Sequence, residues 1–299
     1  MLAVCIPVYN QDVSHLVLEL LEQKEALDDN VSIVVIDDAS SDTFKAQYVG
    51  LSEKVKIVQL EQNVGRSRIR NTFLEHTDAS YLLFIDCDSR IVKPNYLKDY
   101  LKAISTINPL VLFGASVYQK ETPRIYYRLR WRYGAKIESK NYNERIQQPL
   151  LSFKTNNFLI ERNTFVTHPF NESITGYGHE DTLFGFELEK NGVVISQIDN
   201  PVLNAHLDSN TQFLNKTNEA LENLIYIWGL SGNDKGLAAR LRVLSFYLKY
   251  KDSGRLSWFL RSMVKPVRFL LEIGFANLKL FSLYKLCYLL KITHNQKLR

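Results

Sequence analysis

The sequence predicts an α/β protein with a doubly wound, mainly parallel sheet and a helical extension at its carboxyl end. Three observations lead there. Short apolar runs stop abruptly at polar clusters, as strands buried on both faces of a parallel sheet do. Stretches with apolar residues at helical spacing separate these runs, the alternation that right-handed crossovers produce. The last third loses the strand-like runs and reads as helix. With 299 residues, 45% hydrophobic and 23% charged, the chain is long enough for one large domain plus an appendage.

Leu2 to Val8 is the first expected strand, leading through Pro7 and Val8 to Tyr9 and Asn10. Leu16, Val17, Leu20, Leu21 and Leu27 then fall near helical spacing. Val31 to Ile36 is the second strand and stops at Asp37-Asp38-Ala39-Ser40-Ser41-Asp42. Val55 to Leu60 is the third, followed by Asn63-Val64-Gly65 and a basic helix from Arg66 to His76. Tyr81 to Ile85 is the fourth and stops at Asp86-Cys87-Asp88. In open parallel sheets the ligand sits beyond the carboxyl ends of the strands, so these four polar clusters share one edge. Two aspartates one residue apart can aim oxygens at one hard divalent cation if the backbone bends there, with phosphate oxygens completing its shell. Alone, such a pair also suits a polar strand end facing water. Four clusters converging on one edge favour the ligand.

Leu110 to Phe113 reads as a fifth strand. Residues 117–148 are rich in Tyr and Arg, and two readings stay open: a substrate-facing insertion, or packing through Tyr126, Tyr127, Trp131 and Tyr133. Thr155 to Ile160 is a further strand, and Thr175 to Asp181 is a glycine-bearing turn into a helix over 181–191. Glu180 and Asp181 at that helix start suit its dipole. Gly192 stops the helix before a strand from Val193 to Ile198, and Pro201 to His206 follows. By itself His206 fits a structural role as well as a ligand. Helices are expected over Gln212 to Trp228 and Lys235 to Tyr250.

The net charge of +5 is unevenly spread. From Arg255 onward nine Lys/Arg face the single acid Glu272, which leaves the remainder slightly acidic. A basic tail points to an anionic partner. No apolar stretch in it approaches the roughly 18–20 residues of a spanning helix. Phe259, Val264, Val267, Leu270 and Leu271 interleave with Arg261, Lys265 and Arg268, as in an amphipathic helix lying in a membrane interface. The alternative is a helix pair packed on the domain. Cys5, Cys87 and Cys287 lack metal or disulfide spacing. The first residues lack a basic leader region, so a cytoplasmic protein is expected, at the inner face of the membrane if the tail binds it.

As a set, these motifs resemble the family 2 glycosyltransferases with a GT-A fold. The matching pieces are Ile6 to Asn10, Val35 to Asp42, Asn63-Val64-Gly65 through Arg70-Asn71, and Phe84 to Asp88. Gly176-Tyr177-Gly178-His179-Glu180-Asp181 is similar to the glycine turn of galactosyltransferases and chondroitin-polymerase-like enzymes, with Tyr177 where Trp is usual. Ile69 stands where Ala usually precedes Arg-Asn. The resemblance covers residues 1–210 and implies a catalytic domain there. Its 1–115 half would bind the nucleotide-sugar and its 116–210 half the acceptor, with 211–299 as the helical extension.

It further implies inverting transfer of a sugar, from a UDP-sugar by preference, to a hydroxyl of a glycan or lipid-linked glycan. Asp88 is the implied first metal ligand, with Asp86 on the ribose and metal. His206 would be a third ligand, favouring Mn2+ over Mg2+. Pro7, Val8 and Tyr9 would line the base pocket, and Asp38 would accept from the uracil or ribose. Asn63, Gly65 and Arg70 would meet the nucleotide, with Arg66 and Arg68 as rivals for the phosphate charge. Asp181 would be the general base, Glu180 would hydrogen-bond the acceptor, and Tyr177 would stack on it. No nucleic-acid partner is expected.

Rival readings fit less. A haloacid-dehalogenase-type phosphatase places its Asp-x-Asp on the first strand, and a sugar nucleotidylyltransferase needs a glycine-rich basic loop where Tyr9-Asn10-Gln11-Asp12 stands. A membrane-peripheral nucleotide-binding module would leave the carboxylates as strand caps.

Overall fold

The computed structural model describes residues 1–27, 31–48 and 50–297, with side chains through 294. The seven-stranded sheet is built from β1 (Leu2–Val8), β2 (Val31–Asp37), β3 (Lys56–Gln59), β4 (Tyr81–Ile85), β6 (Val111–Phe113), β8 (Asn157–Glu161) and β9 (Ile195–Gln197), in the order β3-β2-β1-β4-β8-β6-β9. A second sheet pairs β5 (Ser89–Ile91), β10 (Val202–Asn204) and β7 (Ser116–Val117) in the order β5-β10-β7. β1 pairs in parallel with both β2 and β4, and β2 with β3. β8 runs antiparallel to β4 and β6, a direction that its apolar run does not reveal.

Strand periodicity sends alternate residues to opposite faces. On one face Leu2, Val4, Ile6 and Val8 pack with Leu16, Val17 and Leu20 of α1 (Ser14–Glu25). On the other, Ala3, Cys5, Leu82 and Phe84 pack with Ile69 of α2 (Gly65–Thr72) and with Phe73. Helix α3 (Tyr96–Ile107) joins the first layer through Tyr96, Leu97 and Tyr100. The sheet is therefore covered on both faces, and every residue of β4 is buried. Asn157 of β8 fastens this core: it accepts from the Tyr96 and Tyr100 hydroxyls at 2.7 and 2.8 Å and donates to the Ala115 and Asn200 carbonyls. Gly114 must lack a side chain, since a Cβ there would stand 2.1 Å from the Tyr100 hydroxyl.

The chain divides into two compact units: Met1–Gln119, Glu138–Thr175 and Glu180–His206 form the first, and Lys120–Ile137, Gly176–His179 and Leu207–Arg299 the second. The span 116–210 thus contributes segments to both.

The second unit is helical: α4 (Arg128–Tyr133), α5 being the first unit's helix Glu180–Lys190, then α6 (Asn210–Leu230), α7 (Lys235–Arg240), α8 (Arg242–Tyr250), α9 (Gly254–Ser262), α10 (Val264–Glu272) and α11 (Leu278–Lys297). The helix expected over Lys235 to Tyr250 breaks at Leu241, which is extended (φ −98°, ψ 96°). Of the open readings for 117–148, Tyr133 is a packing anchor, its ring 5.6 Å from Phe213 and 5.4 Å from Phe281, while Tyr126 and Tyr127 are exposed. The expected amphipathic stripe of the tail splits. Val264, Val267 and Leu271 are buried in the helical core, whereas Phe259 and Leu270 face outward. The tail's last two residues, 298–299, lie outside the described residues.

Candidate active site

The loops after β1 and β2 are tied to each other. Asn10 adopts a left-handed conformation (φ 48°), its amide donates to Ser40 Oγ at 2.7 Å, and its Oδ1 accepts from Ser41 at 2.9 Å. Asp37, fully buried, accepts from the Ser40 and Tyr48 hydroxyls and serves to hold that loop. Val8 has its side chain in the core, and its carbonyl accepts from Asp38 N at 2.8 Å. Only its backbone is left for a base pocket, with half-buried Pro7 and exposed Tyr9 beside it in sequence.

Asp38 reaches across to the third cluster. Its carboxylate accepts from Val64 N at 2.7 Å and Gly65 N at 3.1 Å, and its carbonyl accepts from Asn63 Nδ2 at 3.3 Å. It therefore caps α2 from outside, because Val64 offers no capping side chain. Gly65 turns with φ 84°, a conformation that suits glycine. Burial pushes the Asp38 carboxyl up, opposed by the two amides. Both oxygens are already engaged, so any nucleotide contact would be an additional bond on this clamp.

After β4 the backbone bends, with Ser89 N donating to Asp86 O at 3.0 Å. Antiparallel pairing of β5 with β10 sets Asn204 opposite Ser89, and Ala205 N donates to Asp88 O at 3.2 Å. That register carries His206 to the Asp86–Asp88 turn. Burial, then the Asp86 charge, pushes the Asp88 carboxyl up, while Arg66 and His206 pull it down. Burial pushes the Cys87 thiol up as well, so it stays neutral between the two carboxylates. Among the described residues no group of three or more His, Cys, Asp or Glu is arranged to hold a metal ion. Carboxylate and imidazole are nonetheless ligand types that a divalent cation accepts, with phosphate and water able to complete a shell.

The two arginines of α2 part ways. Arg70 is only 2% exposed; it donates to Asp86 at 3.1 Å and to the Arg66 carbonyl at 3.0 Å, and it lies 3.8 Å from Glu180 Oε1. Its guanidinium sits 5.6 Å from the centroid of the Phe170 ring. Burial and these partners make it a brace between Asp86 and Glu180. Arg66 is 46% exposed in its side chain, pairs with Glu180 at 3.5 Å, and acts on Asp88. Arg68 is exposed and pairs with Glu172. Glu180 is buried, with Oε2 lacking a hydrogen-bond partner.

Asp181 is paired to Lys154 at 3.0 Å and accepts from Thr182 Oγ1 at 3.2 Å. The Lys154 contact has no sequence signal, since it joins residues far apart in the chain. The glycine turn packs on α6: Asn223 Nδ2 donates to the Tyr177 and Gly178 carbonyls at 3.2 Å. Gly178 has φ 89°, and a Cβ there would lie 2.7 Å from Ala220 Cβ. Tyr177 is half-buried, with the Lys216 ammonium 5.5 Å from its ring centroid.

A sheet covered by helices on both faces, with polar loops gathered at the carboxyl ends of its parallel strands, is an architecture that binds ligands along that edge. The model of glycosyl transferase family 2 matches residues 3–172, and the chain belongs to that family. The putative teichuronic acid biosynthesis glycosyltransferase TuaG of Bacillus subtilis (strain 168) is 29% identical over 98 residues, which are 30% of this chain and 36% of that protein. The match thus spans little more than a third of that relative. Two solved structures share the GT-A fold. TarS of S. aureus, residues 1–349 with UDP-GlcNAc, superposes with a TM-score of 0.54 at 19% identity, covering 99% of this chain and 92% of that one. The mannosyltransferase PcManGT of Pyrobaculum calidifontis, with GDP-Man and Mn2+, gives 0.60 at 15% identity, covering 99% and 86%.

Proposed function

We propose that the protein is an inverting, metal-dependent glycosyltransferase that moves a sugar from a nucleotide-sugar, a UDP-sugar in the first instance, to a hydroxyl of a glycan or lipid-linked glycan. The observation that carries this reading is the convergence, in a family 2 chain, of the Asp86–Asp88 turn, His206 and Arg66 at the carboxyl edge of β1–β4. Donors of this kind in TarS and PcManGT support the substrate class.

Asp88, Asp86 and His206 would hold Mn2+ or Mg2+, which supplies charge neutralisation for the departing diphosphate. Pro7, Tyr9 and the Val8 backbone would bound the base, with Asp38, Asn63 and Gly65 shaping the wall beside it. Arg66, exposed and already acting on Asp88, is the better cation for the diphosphate. Arg70 would hold Asp86 and Glu180 in position rather than touch phosphate. An acceptor hydroxyl must lose its proton as it attacks the anomeric carbon, and Asp181 would take it. Lys154 keeps that carboxylate oriented before the acceptor binds. Glu180 and Tyr177 are assigned to the acceptor by the glycine-turn match. Attack opposite the leaving diphosphate inverts the anomeric centre. Membrane association through 255–299 would bring the enzyme to a lipid-linked acceptor at the cytoplasmic face.

A screen of UDP-, GDP- and dTDP-sugars for Mn2+-dependent hydrolysis tests the reading. Turnover of at least one donor, abolished by chelation, is expected; hydrolysis of none, with no nucleotide binding, would overturn it.

A further inference from the structure

The second unit exposes more large apolar side chains than helix packing requires, concentrated between Leu256 and Phe275. Trp258 is 67% exposed, Phe259 52%, Phe269 61%, Ile273 49% and Phe275 57%. Helices α9 and α10 both pack on α11. α10 meets that core with Val264, Val267 and Leu271, so residues three and four apart on its other side, Lys265, Phe269, Leu270 and Ile273, face outward. In α9, Arg255, Trp258, Phe259 and Ser262 make the corresponding outward row. Each helix is thus apolar on two sides, and only one side is used for folding. So many bare aromatic side chains in one short stretch of chain are unusual for a surface that meets only water.

We propose that these outward rows of α9 and α10, together with Phe275, act as one face that docks on a bilayer carrying anionic phospholipid headgroups. It narrows the basic tail to one defined surface and does not depend on the transfer chemistry. Arg255, Arg261 and Lys265 accompany the aromatics, and the segment's one acid, Glu272, is bound by Arg268 at 2.8 Å. Apolar rings set among uncompensated cations match an interface that is greasy below and negative above. Among the described residues no helix is long and apolar enough to cross a membrane, so seating in the interface is the mode these helices permit. A second copy is a poorer occupant. Two-fold pairing of this face would set its cations against their own counterparts while stripping their water. A soluble anion would use the cations and leave the rings unexplained.

The full chain is mixed with sucrose-loaded vesicles of phosphatidylcholine alone or of equimolar phosphatidylcholine and phosphatidylglycerol, then sedimented. Partition onto the phosphatidylglycerol vesicles, weakened by salt, is expected, together with a blue shift in tryptophan emission that Trp258→Phe removes. The double variant Trp258→Ser, Phe269→Ser should lose at least about tenfold in partition, and Arg255→Gln with Lys265→Gln a comparable factor. Because all four side chains are exposed, both variants should melt like the parent. Absence of partition by the parent, or equal partition by the serine variant, overturns the proposal. So does a parent that sediments as a dimer and is dispersed by the serine substitutions, which would mark the face as a contact between copies.

Discussion

The edge beyond β1–β4 and the outward face of α9–α10 depart from the usual distribution of side chains in opposite directions. At the first, charges are inside: Arg70, Glu180, Asp37 and Asp38 are all buried. At the second, aromatics are outside: Trp258, Phe259, Phe269 and Phe275 all meet water. Burying a charge costs free energy unless partners compensate, and exposing an aromatic forgoes the gain of burial. The buried charges are compensated within the protein, through Arg70 with Asp86 and Glu180, and Asp38 with two amides. The exposed rings have no such internal answer. The difference separates charges that partners hold in place from rings that the fold leaves bare.

Substitutions can break that contrast. The largest effect is expected at the proposed base: Asp181→Asn should lower transfer by about 10²–10⁴-fold while UDP binding persists, read by turnover and calorimetry. Near-full turnover would remove the base assignment. Next is the brace. Arg70→Met leaves Asp86 without its ion-pair partner and Glu180 with Arg66 alone, and should destabilise by about 3–5 kcal/mol in a denaturant titration. Arg66→Gln, half-exposed, should cost under about 1 kcal/mol in stability yet weaken UDP binding about tenfold with uridine binding unchanged. Equal effects of the two substitutions on UDP binding would erase the distinction between them. Gly178→Ala puts a Cβ against Ala220 at positive φ and should destabilise by roughly 1–3 kcal/mol. On the outer face, Trp258→Ser should move stability by no more than about 0.5 kcal/mol.

Acidity sharpens the comparison further. The Asp88 carboxyl is raised in the folded protein, so its protonated form is favoured there. Its contribution to stability is present at low pH and is lost as pH rises through the raised value. Metal-free Asp88→Asn should therefore melt higher than the parent at neutral pH. Mn2+ should raise the parent's melting temperature more at pH 7.5 than at pH 5, and should leave the variant unmoved.

Much of the carboxyl edge of β1–β4 is legible in the sequence because each strand there is an apolar run ended by turn chemistry, a local signal. Leu2–Val8 and Tyr81–Ile85 are read with their true bounds. What brings His206 to Asp88 is not legible: β5 and β10 are three residues each and pair from distant parts of the chain. Nor do the motifs rank Arg66 and Arg70, which are one helical turn apart. Only the packing of Phe170 and Glu180 over Arg70 decides which of them is buried. The tail fails for a related reason. α10 carries two apolar stripes, and the sequence does not say that α11 takes Val264, Val267 and Leu271 and leaves Phe269 outside.

On the proposed function, the Asp86–Asp88 turn makes the carboxyl edge a metal-dependent nucleotide-diphosphate site. Calorimetric titration with UDP, with and without Mn2+, tests it most directly. Binding that requires Mn2+, is reversed by EDTA and is absent in Asp88→Ala is the predicted result. UDP binding of equal strength without the metal, or undiminished in Asp88→Ala, would contradict it.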